Sequence, residues 1–380
     1  MKNTCLSPFF TAEIFSAGDV YICCPDYTLI GSIGNVFKQS WDEVWYSEKA
    51  VKLRKKILEN DYSSCRLSLC EPEFFPLCIE LENIDKEKLD FNNPKARIVK
   101  ISTDRSCNVA CTLCRNRIIC NENPKDTEFF DSKIESVFLP ILKDAEIVNF
   151  CGSGDPFVGK HFRNFIKIAA KTYPNLRFDL HTNGILCNEE NLTELGIKDR
   201  LSTVQISLHS ATKEVYDRIV KFGNWEKLNS NLEYLAGLIE QGKLNQLHLN
   251  FVVNADNYKD IPLFLELCKK YHAKAVYWQY RDLGGVYDYD RMNICSPSHI
   301  EHKDFVKIMS ELKLDGTQKV FMTPLLRKFT QIKDVEQYYL TSSILMDNVI
   351  ERYESKFSRQ EMRFSRIEQK LSGLMDNQKK

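Results

Sequence analysis

The 380-residue sequence predicts an α/β protein, namely a partial (β/α)6 TIM-like barrel preceded by a small cysteine-rich metal-cluster module and followed by a helical tail. The barrel is predicted because six strand-like runs alternate with helical segments. The module is predicted because six cysteines lie within the first 78 residues. Apolar residues at heptad spacing predict the helical tail. The expected boundaries are 1–78 for the module, 79–95 for a linker, 96–315 for the barrel and 316–380 for the tail.

The amino-terminal module is expected to depend on metal, because so short and irregular a segment cannot bury a large apolar core. Residues 18–19 predict a hairpin turn and residues 34–35 a later turn. A helix is predicted over residues 41–60, with Ser40 and Glu43 forming a capping box at its start. The apolar face expected for this helix consists of Trp41, Val44, Trp45, Val51 and Leu58.

The barrel strands are expected to carry one polar face. The six candidate strands are residues 97–103, 147–152, 177–182, 203–209, 246–253 and 275–280. A closed eight-stranded barrel fills its interior with branched apolar side chains, so polar inward positions indicate a lumen that holds water and a ligand. For the histidines, the alternative is a hydrogen-bonded core residue. The side chains predicted to face a substrate are His181, His209, His248, Asn250 and Gln279.

A loop directly after the first barrel strand, RSCNVACTLCRN, places Cys107, Cys111 and Cys114 within eight positions. Three cysteines so close together cannot all form disulfides, but their thiolates can converge on one soft metal centre. A zinc site wants a fourth protein ligand, whereas three cysteines suit a four-iron cluster with one open iron. A zinc knuckle and three incidental thiols are the alternatives.

The spacing of these cysteines resembles the signature of the radical S-adenosylmethionine (SAM) enzymes, and the resemblance covers roughly residues 96 to 310. It includes CGSGDPF after the second strand, HTNG after the third and SLHSATKEVYDRIV at the fourth. It implies a 4Fe-4S cluster on the three cysteines and reductive cleavage of SAM to a 5′-deoxyadenosyl radical. That radical would abstract hydrogen from an unactivated C–H bond of a peptide or sugar-like substrate. The cofactor-binding residues implied are Gly152, Ser153, Gly154, Asp155, Asn183 and Ser207.

One departure from the family pattern concerns the carboxylate of SAM. The family has an arginine where this chain has Val220. A carboxylate favours a charged partner. Either Arg218 or Lys221 therefore takes that role, or neutral groups hold the carboxylate.

The amino-terminal module has an early cysteine, a hairpin of the form G-x-V-Y-x-C over residues 18–23, a GN before a Trp-containing helix, and a closing cysteine pair. In these features it is similar to the SPASM domain and its shorter Twitch form. The resemblance implies an auxiliary 4Fe-4S cluster, expected near the barrel mouth as the acceptor of an electron from the substrate radical. Cys24 is a rival to Cys23 as a ligand, and a four-cysteine zinc site is the alternative. The implied ligands are Cys5, Cys23, Cys65 and Cys70.

Charge and composition narrow the expected partners and location. The 52 basic and 52 acidic residues balance, so nucleic acid and anionic membranes are not expected partners. A cytoplasmic location is expected, since no long apolar run appears and the many cysteines suit a reducing compartment. The resemblance implies an electron donor such as flavodoxin or ferredoxin. The heptad seam over residues 350–374 packs on its own domain or supports a homodimer. A non-catalytic iron- or zinc-binding scaffold is the alternative to an enzyme.

Overall fold

The computed structural model describes most of the module and the barrel. Cys70, Ser153 and the predicted heptad seam at 350–374, with the homodimer it would support, lie outside the described residues. The described residues are 5–24, 28–66, 90–120, 124–150, 152, 154–281, 288–314, 316 and 319–339.

One ten-stranded sheet organises the described part of the chain. Its order is β12-β11-β10-β8-β7-β6-β4-β1-β2-β3, and a separate two-stranded sheet pairs β5 with β9. The strands are β1 (Thr11–Phe15), β2 (Asp19–Tyr21), β3 (Gly34–Asn35), β4 (Ile98–Ser102), β5 (Ala110–Cys111), β6 (Ile147–Phe150), β7 (Arg177–Thr182), β8 (Leu201–Ser207), β9 (Val220–Lys221), β10 (Gln246–Val253), β11 (Lys274–Gln279) and β12 (Val320–Met322).

The six predicted barrel strands correspond to β4, β6, β7, β8, β10 and β11, and adjacent members of this set pair in parallel. This parallel βαβ arrangement confirms the partial barrel. β12 pairs in parallel with β11, so the sheet continues into the region that the sequence assigned to the helical tail. Three residues of strand give too weak a pattern to be recognised from sequence alone.

Helices follow most of the barrel strands and cover the outer face of the sheet. A π-helical turn at Ile134–Phe138 and 3-10 turns at Leu142–Asp144 and Tyr258–Asp260 adjoin them. The α-helices are α1 (Ser7–Phe10), α2 (Trp41–Trp45), α3 (Glu48–Leu58), α4 (Pro124–Lys133), α5 (Leu139–Ile141), α6 (Lys160–Thr172), α7 (Glu189–Glu194), α8 (Lys213–Ile219), α9 (Trp225–Glu240), α10 (Ile261–Lys270), α11 (Tyr289–Met292), α12 (His302–Glu311) and α13 (Pro324–Thr330).

The helix predicted over residues 41–60 is two helices. The capping box of Ser40 is present, but Ser47 caps a second helix by accepting a hydrogen bond from the backbone of Ala50. The break changes the helical phase, so Val51 and Leu58 are 50% and 47% exposed instead of buried. The expected apolar face was therefore wrong beyond the break. The residues buried in α3 are Ala50, Leu53, Arg54 and Ile57.

The predicted hairpin forms between β1 and β2, which pair antiparallel around Gly18. Gly18 has a φ of +85°, and a Cβ there would lie 2.5 Å from the ring of Phe37, so only glycine fits. Residues 34–35 were expected to turn, but they form β3, which pairs with β2. A Gly-Asn pair in the sequence does not by itself distinguish a turn from a short edge strand.

The module is continuous with the barrel, because β1 pairs in parallel with β4 from Thr11 opposite Ile98 to Phe15 opposite Ser102. The first barrel strand is therefore not the edge of the sheet. Both strands run in the same direction, so residues that precede β1 and residues that follow β4 lie at opposite ends of the sheet. This relation decides where the two cysteine sets are.

The two faces of the sheet differ in polarity. Phe150 of β6 packs its ring against Phe162 and Phe165 of α6, so that face meets the helices. Side chains alternate along a strand, which puts neighbouring Asn149 on the opposite, inner face. The pairing register of the strands places four inner-face residues side by side on adjacent strands. In order from β1 to β7, this polar row consists of Glu13, Lys100, Asn149 and Asp179.

Candidate metal centre and cofactor site

The three-cysteine loop begins just beyond the carboxyl end of β4, and backbone pairing fixes it on two sides. Cys111 lies in β5, opposite Val220 of β9. Cys107 exchanges two backbone hydrogen bonds with Ile119, at 2.5 and 3.2 Å. A loop held in this way presents its side chains in a preorganised arrangement.

The thiol groups of this loop are better suited to binding a metal cluster than to remaining as free thiols. Burial, with Cys107 and Cys114 nearby, raises the pKa of Cys111 to about 12, and burial also raises the pKa of Cys107. A metal that replaces the protons would stabilise the thiolates, because metal binding requires the deprotonated form. Arg115 Nη2 lies 3.5 Å from the sulfur of Cys114, which offsets negative charge there. The donor set therefore fits an iron–sulfur cluster held by three cysteines.

Asn183, which follows β7, connects the barrel to this loop. Its Nδ2 donates to Asn108 Oδ1 at 2.8 Å and lies 3.7 Å from the sulfur of Cys107. Its Oδ1 accepts a hydrogen bond from the backbone of Ile185 at 3.0 Å. The side chain is thus oriented by its own strand end while it contacts the metal-binding loop.

Asp155 is buried, and its carboxylate ties two strand ends together. It accepts hydrogen bonds from Thr182 Oγ1 at 2.6 Å, from the backbone of Asn183 at 2.9 Å and from the backbone of Phe157 at 3.1 Å. Burial raises the pKa of this carboxyl group, and the three donors oppose the shift. Both oxygens already have protein partners, so the geometry assigns Asp155 to positioning Asn183; the predicted contact with SAM would be additional.

The glycine-rich segment after β6 approaches the stem of the metal-binding loop. A Cβ at Gly152 would lie 2.8 Å from the Cβ of Ser102, and one at Gly154 would lie 2.6 Å from the carbonyl oxygen of Asp104. Any larger residue would push this segment away from the loop. The glycines therefore permit backbone contact within the protein, and their predicted contact with SAM stays a prediction.

The residues considered for the SAM carboxylate lie around the end of α8. Val220 is buried, whereas Arg218 pairs with Glu214 at 3.8 Å and Lys221 Nζ donates to the carbonyl of Asp217 at 3.0 Å. These contacts direct both cations along the exposed surface of α8. Their geometry favours neutral groups as the carboxylate's partners.

Two predicted substrate-facing histidines lie on β7 and beyond β8. His181 Nε2 is 3.0 Å from Ser207 Oγ. A residue predicted to face the substrate thus lies beside a residue predicted to bind the cofactor. His209 has a φ of +61°, and its Nδ1 accepts a hydrogen bond from the backbone of Val252 at 3.2 Å. Burial lowers the pKa of His209 to about 3. His209 thus has the contacts of a satisfied core histidine.

His248 lies at the other end of the barrel. Its Nε2 is 2.7 Å from Gln246 Oε1, and the residue lines a cavity of about 350 Å³ between the amino ends of β10 and β11. Burial, with Lys274 and Lys319 nearby, lowers the pKa of His248 to about 3. The cavity is far from the carboxyl ends where the metal-binding loop lies.

Asn250 and Gln279 lie on different faces of the sheet. Asn250 Oδ1 accepts a hydrogen bond from Trp278 Nε1 at 2.9 Å, so both face the lumen. Gln279 follows Trp278 and shares the outer face with Tyr277, whose ring contacts Phe264 of α10. The prediction for Gln279 is wrong, because the inner face of this strand carries Trp278 and its neighbour Gln279 faces outward.

Asn149 and Glu13 are lumen residues that were not predicted from the sequence. Asn149 belongs to the strand that precedes the segment CGSGDPF, and Glu13 belongs to the amino-terminal module. A single asparagine in an apolar strand was the only signal for the first. For Glu13 no signal existed, because its position depends on the pairing of β1 with β4.

The described auxiliary cysteines lie together at the amino end of the sheet. Cys5 and Cys65 flank Tyr62, whose pKa is raised by burial and by both thiols, and Thr28 forms a backbone bridge with Cys65. Cys23 follows β2 at the end where β1 begins, with Ser7 Oγ bonded to the carbonyl of Ile22 at 3.4 Å. The expected position near the barrel mouth is wrong, because β1 runs parallel to β4 and these cysteines lie at the end of the sheet where β1 begins.

The choice between Cys23 and Cys24 stays a prediction, since both are half-buried. In the described ranges, no three histidine, cysteine, aspartate or glutamate side chains are arranged to hold a single metal ion.

No helix in the part of the chain that the structure covers is long and apolar enough to cross a bilayer.

Two protein-family models match the chain. The iron-sulfur cluster-binding domain SPASM matches residues 5–71, and the radical SAM superfamily matches residues 101–268. The radical SAM domain implies a 4Fe-4S cluster and SAM, and the SPASM domain implies auxiliary iron–sulfur clusters.

Several curated proteins are similar to the chain. The FeMo cofactor biosynthesis protein NifB of Methanocaldococcus jannaschii is 27% identical over 32% of this chain and 42% of that protein. The probable GTP 3′,8-cyclase of the same organism is 28% identical over 46% and 55%. The mycofactocin maturase MftC of Mycobacterium ulcerans is 24% identical over 58% and 57%. The chain thus spans about half the length of these relatives.

Two solved structures are similar to part of the chain. TYW1 with a bound lysine-pyruvate adduct has a TM-score of 0.37 and 17% identity, covering 63% of this chain and 80% of that one. Methylornithine synthase PylB has a TM-score of 0.36 and 11% identity, covering 62% and 74%. Together with the strand order and the three-cysteine loop, the two family matches identify the chain as a radical SAM protein with an amino-terminal SPASM-type iron–sulfur module.

Proposed function

We propose that the protein is a cytoplasmic radical SAM oxidoreductase that abstracts a hydrogen atom from an unactivated C–H bond of a polar peptide or sugar-like substrate. The observation that carries the proposal is the fixed loop of Cys107, Cys111 and Cys114 at the carboxyl end of β4, beside a lumen with polar walls. Barrel enzymes place their reactive groups at this end of the strands. When bound, the cluster and SAM supply a 5′-deoxyadenosyl radical as the hydrogen-abstracting agent.

Residues of the chain would hold the cluster and position the groups around it. The three cysteines would ligate three irons, and Arg115 would balance part of the charge at Cys114. Asp155 fixes Asn183, whose amide reaches the sulfur of Cys107 and donates toward it. Hydrogen bonds to cluster sulfurs tune reduction potential, so Asn183 is a positioning residue for the metal centre.

The lumen favours a polar substrate. Asn149 Oδ1 and Asn250 Nδ2 are buried on its inner face, and neither atom has a hydrogen-bond partner among the described residues. An unsatisfied buried polar atom costs about 1–3 kcal/mol, so a ligand that supplies both a donor and an acceptor would recover that cost. Hydroxyl, amide and amino groups of sugars and peptides meet this requirement.

The auxiliary cluster is proposed as the acceptor of the substrate's second electron. Its described ligands lie at the end of the sheet where β1 begins, while the SAM-cluster loop follows β4, so the two sites are separated by at least the length of β4. Five residues of strand span about 16 Å. The acceptor role therefore requires electron transfer along the sheet, without contact between the auxiliary cluster and the substrate.

Anaerobic reconstitution tests the proposal. We expect iron and sulfide sufficient for two 4Fe-4S clusters, and 5′-deoxyadenosine when SAM and dithionite are added. Reduced flavodoxin or ferredoxin should support the same reaction. Zinc in place of iron, or intact clusters that form no deoxyadenosine, would favour the non-catalytic scaffold.

A further inference from the structure

A cavity of about 350 Å³ lies at the amino ends of β10 and β11, whereas the three-cysteine loop lies at the carboxyl end of the sheet. Ligand pockets in proteins usually measure about 300–1,000 Å³, so this cavity suits a small molecule. Part of its wall is apolar, with Ile239 of α9, Leu247 of β10 and Cys268 of α10. The reaction proposed above does not use this cavity.

The rest of the wall is rich in basic residues. Among the described residues, no aspartate or glutamate lines the cavity. Glu266 pairs with Lys269 and Glu240 pairs with His272, but neither glutamate belongs to the wall. An ammonium group has three N–H donors, so a lysine that already has a protein partner can still donate to a ligand. The basic residues of the wall are His248, Lys269, His272, Lys274 and Lys319.

His248 is fully buried at this wall. Its Nε2 lies 2.7 Å from Oε1 of Gln246, so Nε2 carries the proton and donates it. Nδ1 is then an acceptor, and it has no hydrogen-bond partner among the described residues. Because a buried acceptor without a donor is costly, a ligand group that donates to Nδ1 would recover free energy.

The charges that act on His248 are positive. Lys274 is its register partner on β11, and the backbone of Ala275 fixes Lys319 nearby by donating to its carbonyl at 3.0 Å. Burial, Lys274 and Lys319 together lower the pKa of His248 to about 3, and His181 acts in the same direction. No carboxylate of the described residues opposes them. The ring is therefore neutral, and its surroundings favour an anion.

The end of α10 beside the cavity already uses its last carbonyl groups. Such carbonyls carry partial negative charge and would oppose an anion if they faced it. The backbone of His272, at a φ of +53°, donates to the carbonyl of Lys269 at 3.1 Å. The backbone of Ala273 donates to the carbonyl of Cys268 at 2.9 Å. The lysine side chains are therefore the groups of this wall that are suited to contact an anion.

The ligand that fits these groups must accept hydrogen bonds from lysines and also donate one to Nδ1 of His248. Carboxylate and sulfate groups are anionic near neutral pH, but they have no proton to donate. A phosphate group is anionic and can keep a proton, since the second pKa of a phosphate monoester is about 6. Phosphate therefore meets both requirements.

We propose that this cavity binds a phosphate group, either as free phosphate or as a small phosphate monoester. The P–OH group donates to His248 Nδ1, and the other phosphate oxygens accept from Lys274 and Lys319. Residues 248 to 253 of β10 separate the site from the carboxyl end of the strand by roughly 16 Å. The bound phosphate is thus a ligand distinct from the substrate in the lumen, and the inference does not depend on the proposed function.

Calorimetric titration of the reconstituted protein at pH 6.5 tests the site. Inorganic phosphate should bind at least tenfold more tightly than sulfate at equal ionic strength, because sulfate cannot donate to His248. Lys319→Met should weaken phosphate binding at least tenfold, and the exposure of Lys319 makes this variant safe for folding. Lys55→Met is the matched control, since Lys55 is 75% exposed on α3 of the amino-terminal module; it should leave the affinity unchanged.

His248→Leu tests the acceptor and should reduce the affinity for phosphate to that for sulfate. Lys319→Met keeps the test independent of whether this buried variant folds. Tighter binding of glycerol 3-phosphate than of inorganic phosphate would identify a monoester as the ligand, and equal or weaker binding would identify free phosphate.

Three results would overturn the site. They are the absence of saturable phosphate binding, equal affinities of the parent protein for phosphate and sulfate, and an unchanged affinity in Lys319→Met. Displacement of phosphate by saturating SAM would place the anion at the cofactor site and would overturn the proposal as well.

Discussion

Glu13 of the SPASM-type module forms an ion pair with Lys100 of the first barrel strand, with Oε2 and Nζ 3.4 Å apart. The two residues are register partners on β1 and β4, and Glu13 also accepts a hydrogen bond from Ser102 Oγ at 2.8 Å. Glu13 is buried. The module and the barrel therefore share a charged contact on the lumen face, which couples their stability.

Glu13→Ala should lower the free energy of unfolding by about 3 kcal/mol, because it removes a buried carboxylate that pairs with the ammonium group of Lys100. Denaturant unfolding under anaerobic conditions measures this change. Adding Lys100→Met to the variant should recover part of the loss, since the charge that Glu13 balanced is then removed as well. A loss below about 1 kcal/mol in the single variant would show that the pair contributes no more than an exposed one.

Cys111→Ala should abolish reductive cleavage of SAM, because the cluster loses one of its three protein ligands. The auxiliary cluster should remain, since its ligands lie at the other end of the sheet. Deoxyadenosine production with dithionite, together with iron counts per chain, checks both statements. Continued production by the variant would rule out this loop as the SAM-cluster site.

Arg218→Met and Lys221→Met should each leave SAM affinity within about threefold of the parent protein. Arg218 is paired with Glu214 and Lys221 with a helix carbonyl, so neither is directed to the cofactor. Equilibrium binding of SAM to the reconstituted protein measures this. A charge-assisted contact is worth about 1.5–3 kcal/mol, so weakening of roughly tenfold or more in either variant would mean that its side chain reaches the carboxylate.

Stability should fall as pH is lowered from 6.5, because burial holds the pKa of His209 and the pKa of His248 at about 3. Between about pH 6.5 and 3, the unfolded chain binds protons at these histidines that the folded chain does not. Each histidine then costs about 1.4 kcal/mol per pH unit. Urea unfolding at pH 7.5, 6.5 and 5.5 measures the slope, which His248→Gln should reduce. The same slope in parent and variant would show that His248 is protonated in the folded state.

Cys65→Ala should remove the auxiliary cluster while deoxyadenosine is still formed, because the SAM-cluster loop is anchored separately by β5 and β9. If the auxiliary cluster accepts the second electron, the variant should fail to complete substrate oxidation. Product analysis beside deoxyadenosine counts measures the uncoupling. Full product yield from the variant would assign the auxiliary cluster a structural role instead.

Local patterns were enough to predict the chemistry and most of the barrel. The spacing of Cys107, Cys111 and Cys114 is a property of a few adjacent residues, so it is visible without any fold. The alternation of apolar residues identified six barrel strands for the same reason, since side-chain periodicity follows from local backbone geometry. The capping box of Ser40 was likewise local.

Only the tertiary structure decided how distant segments meet. The pairing of β1 with β4 joins residues more than 80 positions apart, and this pairing places Glu13 in the lumen and the auxiliary cysteines at the end opposite the SAM-cluster loop. Such long-range pairing depends on the total burial that it achieves, which no local pattern encodes. The partners of Asp155 and His209 are set in the same way, because a polar side chain's role depends on which donors and acceptors the fold brings within hydrogen-bonding distance.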